Sequence, residues 1–148
     1  MNPDFDEILS ALSDAGAEFL VVGAHALAAH GHPRATGDLD LWVRPTPENA
    51  RRVWRALLAF GAPLTELAQD ELARPGLVFQ IGVVPRRIDI LTEISGVAFD
   101  DAWDRRLEAV VEGRRLPILG RDDLLANKRA TGRAKDLGDI AFLEGREE

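Results

Sequence analysis

The chain has 148 residues, no cysteine and a formal net charge of −7. That length suits one domain, 1–148, that folds without staples. The missing thiols exclude a disulfide framework and a zinc–thiolate site, and the acidic balance argues against holding nucleic acid by overall field. No apolar run approaches the ~20 residues of a membrane span. The acidic start Met1-Asn2-Pro3-Asp4-Phe5-Asp6 lacks a signal-peptide pattern. A soluble, cytosolic protein is therefore expected.

Asn2-Pro3 reads as a helix start, with Phe5, Ile8, Leu9 and Leu12 on one apolar face and Gly16 as the stop. Residues 18–22 are a buried strand that runs into Gly23, and Ala24 to Ala29 favours helix. Gly31, Pro33 and Gly37 punctuate a loop. A second strand covers Asp38 to Val43. Thr46-Pro47-Glu48 opens a helix whose core face is Ala50, Val53, Trp54, Leu57 and Leu58, and Gly61 ends it. Residues 64–73 read as a short helix. Val78–Ile81 and Arg87–Leu91 are strands joined through Gly82 to Arg86. Phe99 to Leu107 is a short amphipathic helix with Trp103 inward. Ala109–Val111 and Leu116–Ile118 form a hairpin around Gly113, with Pro117 assigned to an edge strand. Arg121-Asp122-Asp123 opens a C-terminal helical region, interrupted at Gly132 and resuming to Leu143. This order predicts a mixed β-sheet flanked by helices, an α+β or mixed α/β domain.

The chemistry concentrates on three aspartates set into apolar strands. Asp38 and Asp40 are two apart, so an extended strand points both to one face, with Cα atoms roughly 7 Å apart. Asp89 lies in another apolar run, Ile88-Asp89-Ile90-Leu91, and can face the same point. Buried carboxylates need compensation, and Mg²⁺ takes carboxylate oxygens together with substrate phosphates. A pair of Mg²⁺ ions held by Asp38, Asp40 and Asp89 fits phosphoryl transfer, with Asp89 placed as base. Gly23-Ala24 precedes a helix whose free N–H groups suit a triphosphate.

Of 18 basic residues other than histidine, only Lys128 and Lys135 are lysines. Lysine is a compact phosphate partner. With Arg129 and Arg133 these lysines offer cations to the remaining phosphate charge. Arg34 and Thr36 sit directly before the acid pair, in a loop suited to contact substrate. His25 and His30 are five apart and do not align on a helix face, so they are not read as a metal pair. Asp136 and Asp139 are read as structural partners of neighbouring Arg or Lys. Arg86-Arg87 and Arg114-Arg115 are basic pairs at hairpin-like positions, weak candidates for RNA backbone contact.

Apolar-Gly23-Ala24, then Asp38-Leu39-Asp40-Leu41, then Ile88-Asp89-Ile90 resembles the polymerase-β-like nucleotidyltransferase superfamily. Arg34-Ala35-Thr36-Gly37 and the tail Asn127-Lys128-Arg129 with Arg133 to Asp139 resemble a narrower branch. That branch holds abortive-infection type toxin nucleotidyltransferases and related uncharacterised bacterial proteins. The resemblance spans roughly residues 18–142. It implies Asp38 and Asp40 as metal ligands, Asp89 as the third acid, Gly23 as the triphosphate cradle and Lys128 as a phosphate partner. Ala24 departs from the serine often found there and removes a hydroxyl donor.

The expected reaction moves an NMP from an NTP to an acceptor hydroxyl with release of pyrophosphate. The acceptor is an RNA end, a protein hydroxyl or a small molecule, and a cognate toxin or antitoxin protein is a further expected partner. Two alternatives stay open. One is a noncatalytic binding partner that keeps the fold. The other is an antibiotic or metabolite adenylyltransferase whose cleft a second subunit completes, as a homo-oligomer.

Overall fold

The computed structural model describes residues 2–32, 37–83 and 86–145. Its elements, in chain order, are α1 (Pro3–Asp14), β1 (Phe19–Val22), α2 (Gly23–Ala29), β2 (Leu39–Val43), α3 (Pro47–Phe60), β3 (Val78–Ile81), β4 (Ile88–Leu91), α4 (Phe99–Asp104), β5 (Leu107–Val111), β6 (Arg114–Ile118), α5 (Arg121–Thr131) and α6 (Leu137–Leu143). Helices and a mixed sheet make this the expected α+β architecture. The chain divides into two compact units, residues 1–19 with 37–93 and residues 20–36 with 94–148.

In the first unit, α1 starts where its sequence directs. The Asn2 side chain accepts a hydrogen bond from the Asp4 amide at 2.8 Å, and Pro3 fills the first turn. Phe5, Ile8, Leu9 and Leu12 are buried, and α1 packs on α3. The Thr46 hydroxyl caps α3 at the Asn49 amide, 3.3 Å away, and Gly61 ends it at φ 89°. At that left-handed φ a Cβ would be strained, which is why glycine suits the position.

The buried face of α3 is Asn49, Ala50, Val53, Ala56 and Leu57. Trp54 is only half-buried and Leu58 is 58% exposed, against expectation. The buried stripe centres on Val53, and five residues along a helix rotate Leu58 about 140° away from it. The helix expected over 64–73 is a single 3₁₀ turn, Gln69–Ala73. Leu67 and Leu72 are both buried; an α-helix would set them about 140° apart and could not bury both on one face.

Strands of this unit run in the order β3-β4-β2, with β4 antiparallel to β3 and parallel to β2. Asn49 joins α3 to the ends of two chain segments. Its amide donates to the carbonyls of Glu18 (2.9 Å) and Arg44 (3.0 Å), and its oxygen accepts from the Glu18 amide (2.7 Å).

In the second unit the order is β1-β6-β5, with β6 parallel to β1 and antiparallel to β5. Pro117 therefore lies on the inner strand of the three, not on an edge strand. The reason it is tolerated is local: β6 pairs with β1 only at Val21↔Ile118, one residue beyond the proline. Helix α4 stops at Asp104 and Leu107 opens β5. Phe99 and Ala102 fill the inward face of α4, while Trp103 is half-buried, stacked on Phe99 and covered by the Arg106 guanidinium 4.0 Å from its ring centre. Gly120 lies against α4's exit: a Cβ there would stand 2.6 Å from the Arg105 carbonyl oxygen.

Candidate active site

The register of β2 and β4 decides where the acids go. Leu39 pairs with Ile88, Asp40 with Asp89 and Leu41 with Ile90. Side chains alternate across a strand. Leu39, Leu41, Ile88 and Ile90 all take one buried face, so Asp38, Asp40 and Asp89 must share the other. Parallel neighbours are ~4.8 Å apart, which brings Asp40 and Asp89 side by side. Trp42 continues that face and is 1% exposed. Gln80 extends the row on the third strand, paired directly with Asp89.

Like charges at this spacing interact strongly. Asp40 has its carboxyl pushed up to about 6, first by burial and then by the charge of Asp89 and a hydrogen bond with it, with Asp38 adding to the effect. Asp89 is buried. The compensating charge is Arg87. Its Nε donates to Asp89 Oδ1 at 2.8 Å and its Nη2 to Asp89 Oδ2 at 3.2 Å. The same Nη2 stands 3.5 Å from Asp38 Oδ2, and the Arg87 backbone amide donates to Asp38 Oδ1 at 3.1 Å. All four carboxylate oxygens of Asp38 and Asp89 thus face one residue.

Arg87 was legible in the sequence only as half of a basic pair. Its spacing of two from Asp89 carried more: residues i and i+2 of an extended segment share a face, so the cation and the acid had to meet. Gln80 could be found only from the β3–β4 register, since nothing in its own neighbourhood marks it.

Gly23, Ala24 and Lys128 belong to the second unit. Gly23 takes φ 68° where β1 turns into α2, a backbone that favours glycine, and Ala24 follows it half-buried. Lys128 is 7% exposed. Its ammonium lies 3.2 Å from Asp136 Oδ1 and 3.4 Å from Asp139 Oδ2. Asp136 also accepts from Arg133 Nε (2.7 Å) and the Thr131 hydroxyl (3.1 Å), and His32 Nε2 is 3.3 Å from Asp139. Burial raises the Asp136 carboxyl, but bonds from Arg133, Lys128 and Thr131 outweigh it and hold the group below its ordinary value. The pairing expected of Asp136 and Asp139 is present. His30 Nε2 is 2.8 Å from the Leu119 carbonyl oxygen. Arg34 and Thr36 lie outside the described residues.

A hard divalent cation suits this donor set in kind, because every donor is a carboxylate and burial, then the charge of Asp89, already raises Asp40. In placement, no group of three His, Cys, Asp or Glu among the described residues is gathered closely enough to hold a metal ion. The oxygens of Asp38 and Asp89 point to Arg87 instead.

No family model matches the chain, and no curated protein does. Solved structures do. The candidate nucleotidyltransferase TM1012 of Thermotoga maritima is similar at a TM-score of 0.63 and 14% identity, covering 99% of this chain and 96% of its own. The lincosamide antibiotic adenylyltransferase LnuA, in its lincomycin-bound form, is similar at 0.63 and 12%, covering 99% and 98%. The chain therefore shares its fold with these two proteins over nearly its whole length. No described helix is long and apolar enough to cross a membrane.

Proposed function

We propose that the protein is a nucleotidyltransferase whose reacting centre is Asp38, Asp40 and Asp89. One observation carries the reading: the β2–β4 register sets Asp40 beside Asp89, with Asp38 on the same face, in a chain with this fold. An acid triad on one face serves no packing purpose, and burial together with the neighbouring Asp89 raises the Asp40 carboxyl, a perturbation that supports a functional role.

In the proposed reaction the acceptor oxygen bonds to the α-phosphorus of an NTP, and the bond from that phosphorus to pyrophosphate breaks. The acceptor proton goes to Asp89, which also orients the hydroxyl. Asp38 and Asp40 would hold Mg²⁺, two ions in the full site, and Asp89 would complete the ligand set. Such a metal would supply positive charge at the phosphoryl oxygens and ease deprotonation of the acceptor. Trp42 and the apolar strand residues beneath keep the acids in a fixed, poorly hydrated frame, where charge stabilisation counts for most. Gly23, Ala24, Arg34, Thr36 and Lys128 remain proposed nucleotide contacts on the strength of the sequence resemblance alone. Lys128 would have to divide its ammonium between phosphate and two aspartates.

A small-molecule acceptor is a second reading. It is favoured by end-to-end similarity to an antibiotic adenylyltransferase of matching length. A noncatalytic partner protein of a toxin is the reading that Ala24 favours.

Incubation with α-labelled NTPs and Mg²⁺, together with total RNA, cell protein or a panel of hydroxylated antibiotics, separates these readings. Label on RNA or protein supports a macromolecular acceptor. Label on a small molecule supports the second reading. Binding of Mg²⁺–NTP without label on any acceptor and without pyrophosphate release supports the noncatalytic one.

A further inference from the structure

The geometry points to Arg87 as an internal cation that competes with divalent metal for the carboxylates of Asp38 and Asp89, so that metal loading requires its guanidinium to leave. This rests on the proposal that these acids hold metal. Four contacts carry it. Arg87 donates to both oxygens of Asp89, at 2.8 and 3.2 Å, and meets both oxygens of Asp38, through its backbone amide at 3.1 Å and its Nη2 at 3.5 Å.

A guanidinium presents its donors in a planar fork that matches a carboxylate. Oxygens fixed to that fork aim their lone pairs at nitrogen, and a cation with near-octahedral demands needs the same lone pairs. Asp40 shares its hydrogen bond with Asp89 and feels Arg87 only through its charge. The two cations therefore differ in what they can recruit: Arg87 uses Asp38 and Asp89, and the metal adds Asp40. Arg87 is about one-third exposed along its side chain, so its head can swing outward without unfolding the strand. In that outward position a guanidinium beside a metal-bound triphosphate is a natural partner for phosphate oxygens. The prediction is a residue with opposite effects on two ligands: it weakens metal binding alone and strengthens binding of metal with nucleotide.

The test is Mn²⁺ binding without nucleotide, read by paramagnetic resonance on wild-type protein, Arg87→Gln and Arg87→Lys, then repeated with a non-hydrolysable NTP. Circular dichroism and thermal unfolding establish that each variant is folded. Arg87→Gln is expected to bind Mn²⁺ alone about tenfold more tightly than wild type, with Arg87→Lys in between, because an ammonium keeps the charge and loses the fork. With nucleotide present the order is expected to reverse. Folded Arg87→Gln with unchanged or weaker Mn²⁺ affinity overturns the competition while leaving the acids as metal ligands. Absence of Mn²⁺ binding in every protein at millimolar metal, with or without nucleotide, overturns the metal assignment itself and the competition with it. If Arg87→Gln does not fold, Arg87→Lys decides alone: tighter binding than wild type supports the competition, and equal or weaker binding overturns it.

Discussion

Asp40 is the residue where fold and proposed chemistry pull against each other. A carboxyl raised from 3.8 to about 6 in the folded chain binds its proton more tightly there than in the unfolded chain. Its contribution to stability is fully present below pH 3.8 and is lost as pH rises through about 6. Asp40→Asn removes that titration. In metal-free buffer the variant should gain about 1–3 kcal/mol on wild type between pH 4.5 and pH 7.5, measured by urea unfolding at both values. Parallel pH profiles for the two proteins would remove the crowded-acid account of the site. The sequence made the three acids conspicuous, since carboxylates inside apolar strands are hard to explain otherwise. It left Arg87 inconspicuous, because a basic pair beside a turn is common and only pairing to a second strand gives it a target.

Helix α3 shows how element boundaries and element faces differ in legibility. Thr46, Pro47 and Gly61 mark its ends through local chemistry alone, and the ends fall there. Its buried face depends on what packs against it, which local sequence does not state: periodicity points Trp54 and Leu58 inward, whereas the helix buries Asn49 and Ala56. The same holds for Pro117, which is tolerated on an inner strand because β1 pairs only beyond it. Asn49 is the position where α3 is most dependent on its surroundings. It is 2% exposed and makes three bonds to the backbone of Glu18 and Arg44. Asn49→Ala strands those backbone groups in a buried place and should cost about 2–4 kcal/mol, seen as a lower urea midpoint with little change in slope. A loss below about 0.5 kcal/mol would mean that those backbone groups find other partners.

At the scale of the molecule, the mixed α+β architecture was legible from the order of periodic segments, and the structural neighbours share it at 12–14% identity. The acceptor of the proposed reaction was not legible, because acceptor contacts lack the spacing rules that metal ligands obey. The second unit adds a buried charge network on Lys128, Asp136 and Asp139, with the half-buried His32 ring against Asp139. Sequence spacing suggested its ion pairs but not that the lysine would be buried.

The most direct test of the whole account is calorimetric titration of Mg²⁺–NTP into wild-type protein and into Asp40→Asn, each shown folded at pH 7.5. The account predicts saturable binding to the wild type that disappears without Mg²⁺ and is at least tenfold weaker in the variant. Equal binding by both proteins, or nucleotide binding indifferent to Mg²⁺, would contradict it.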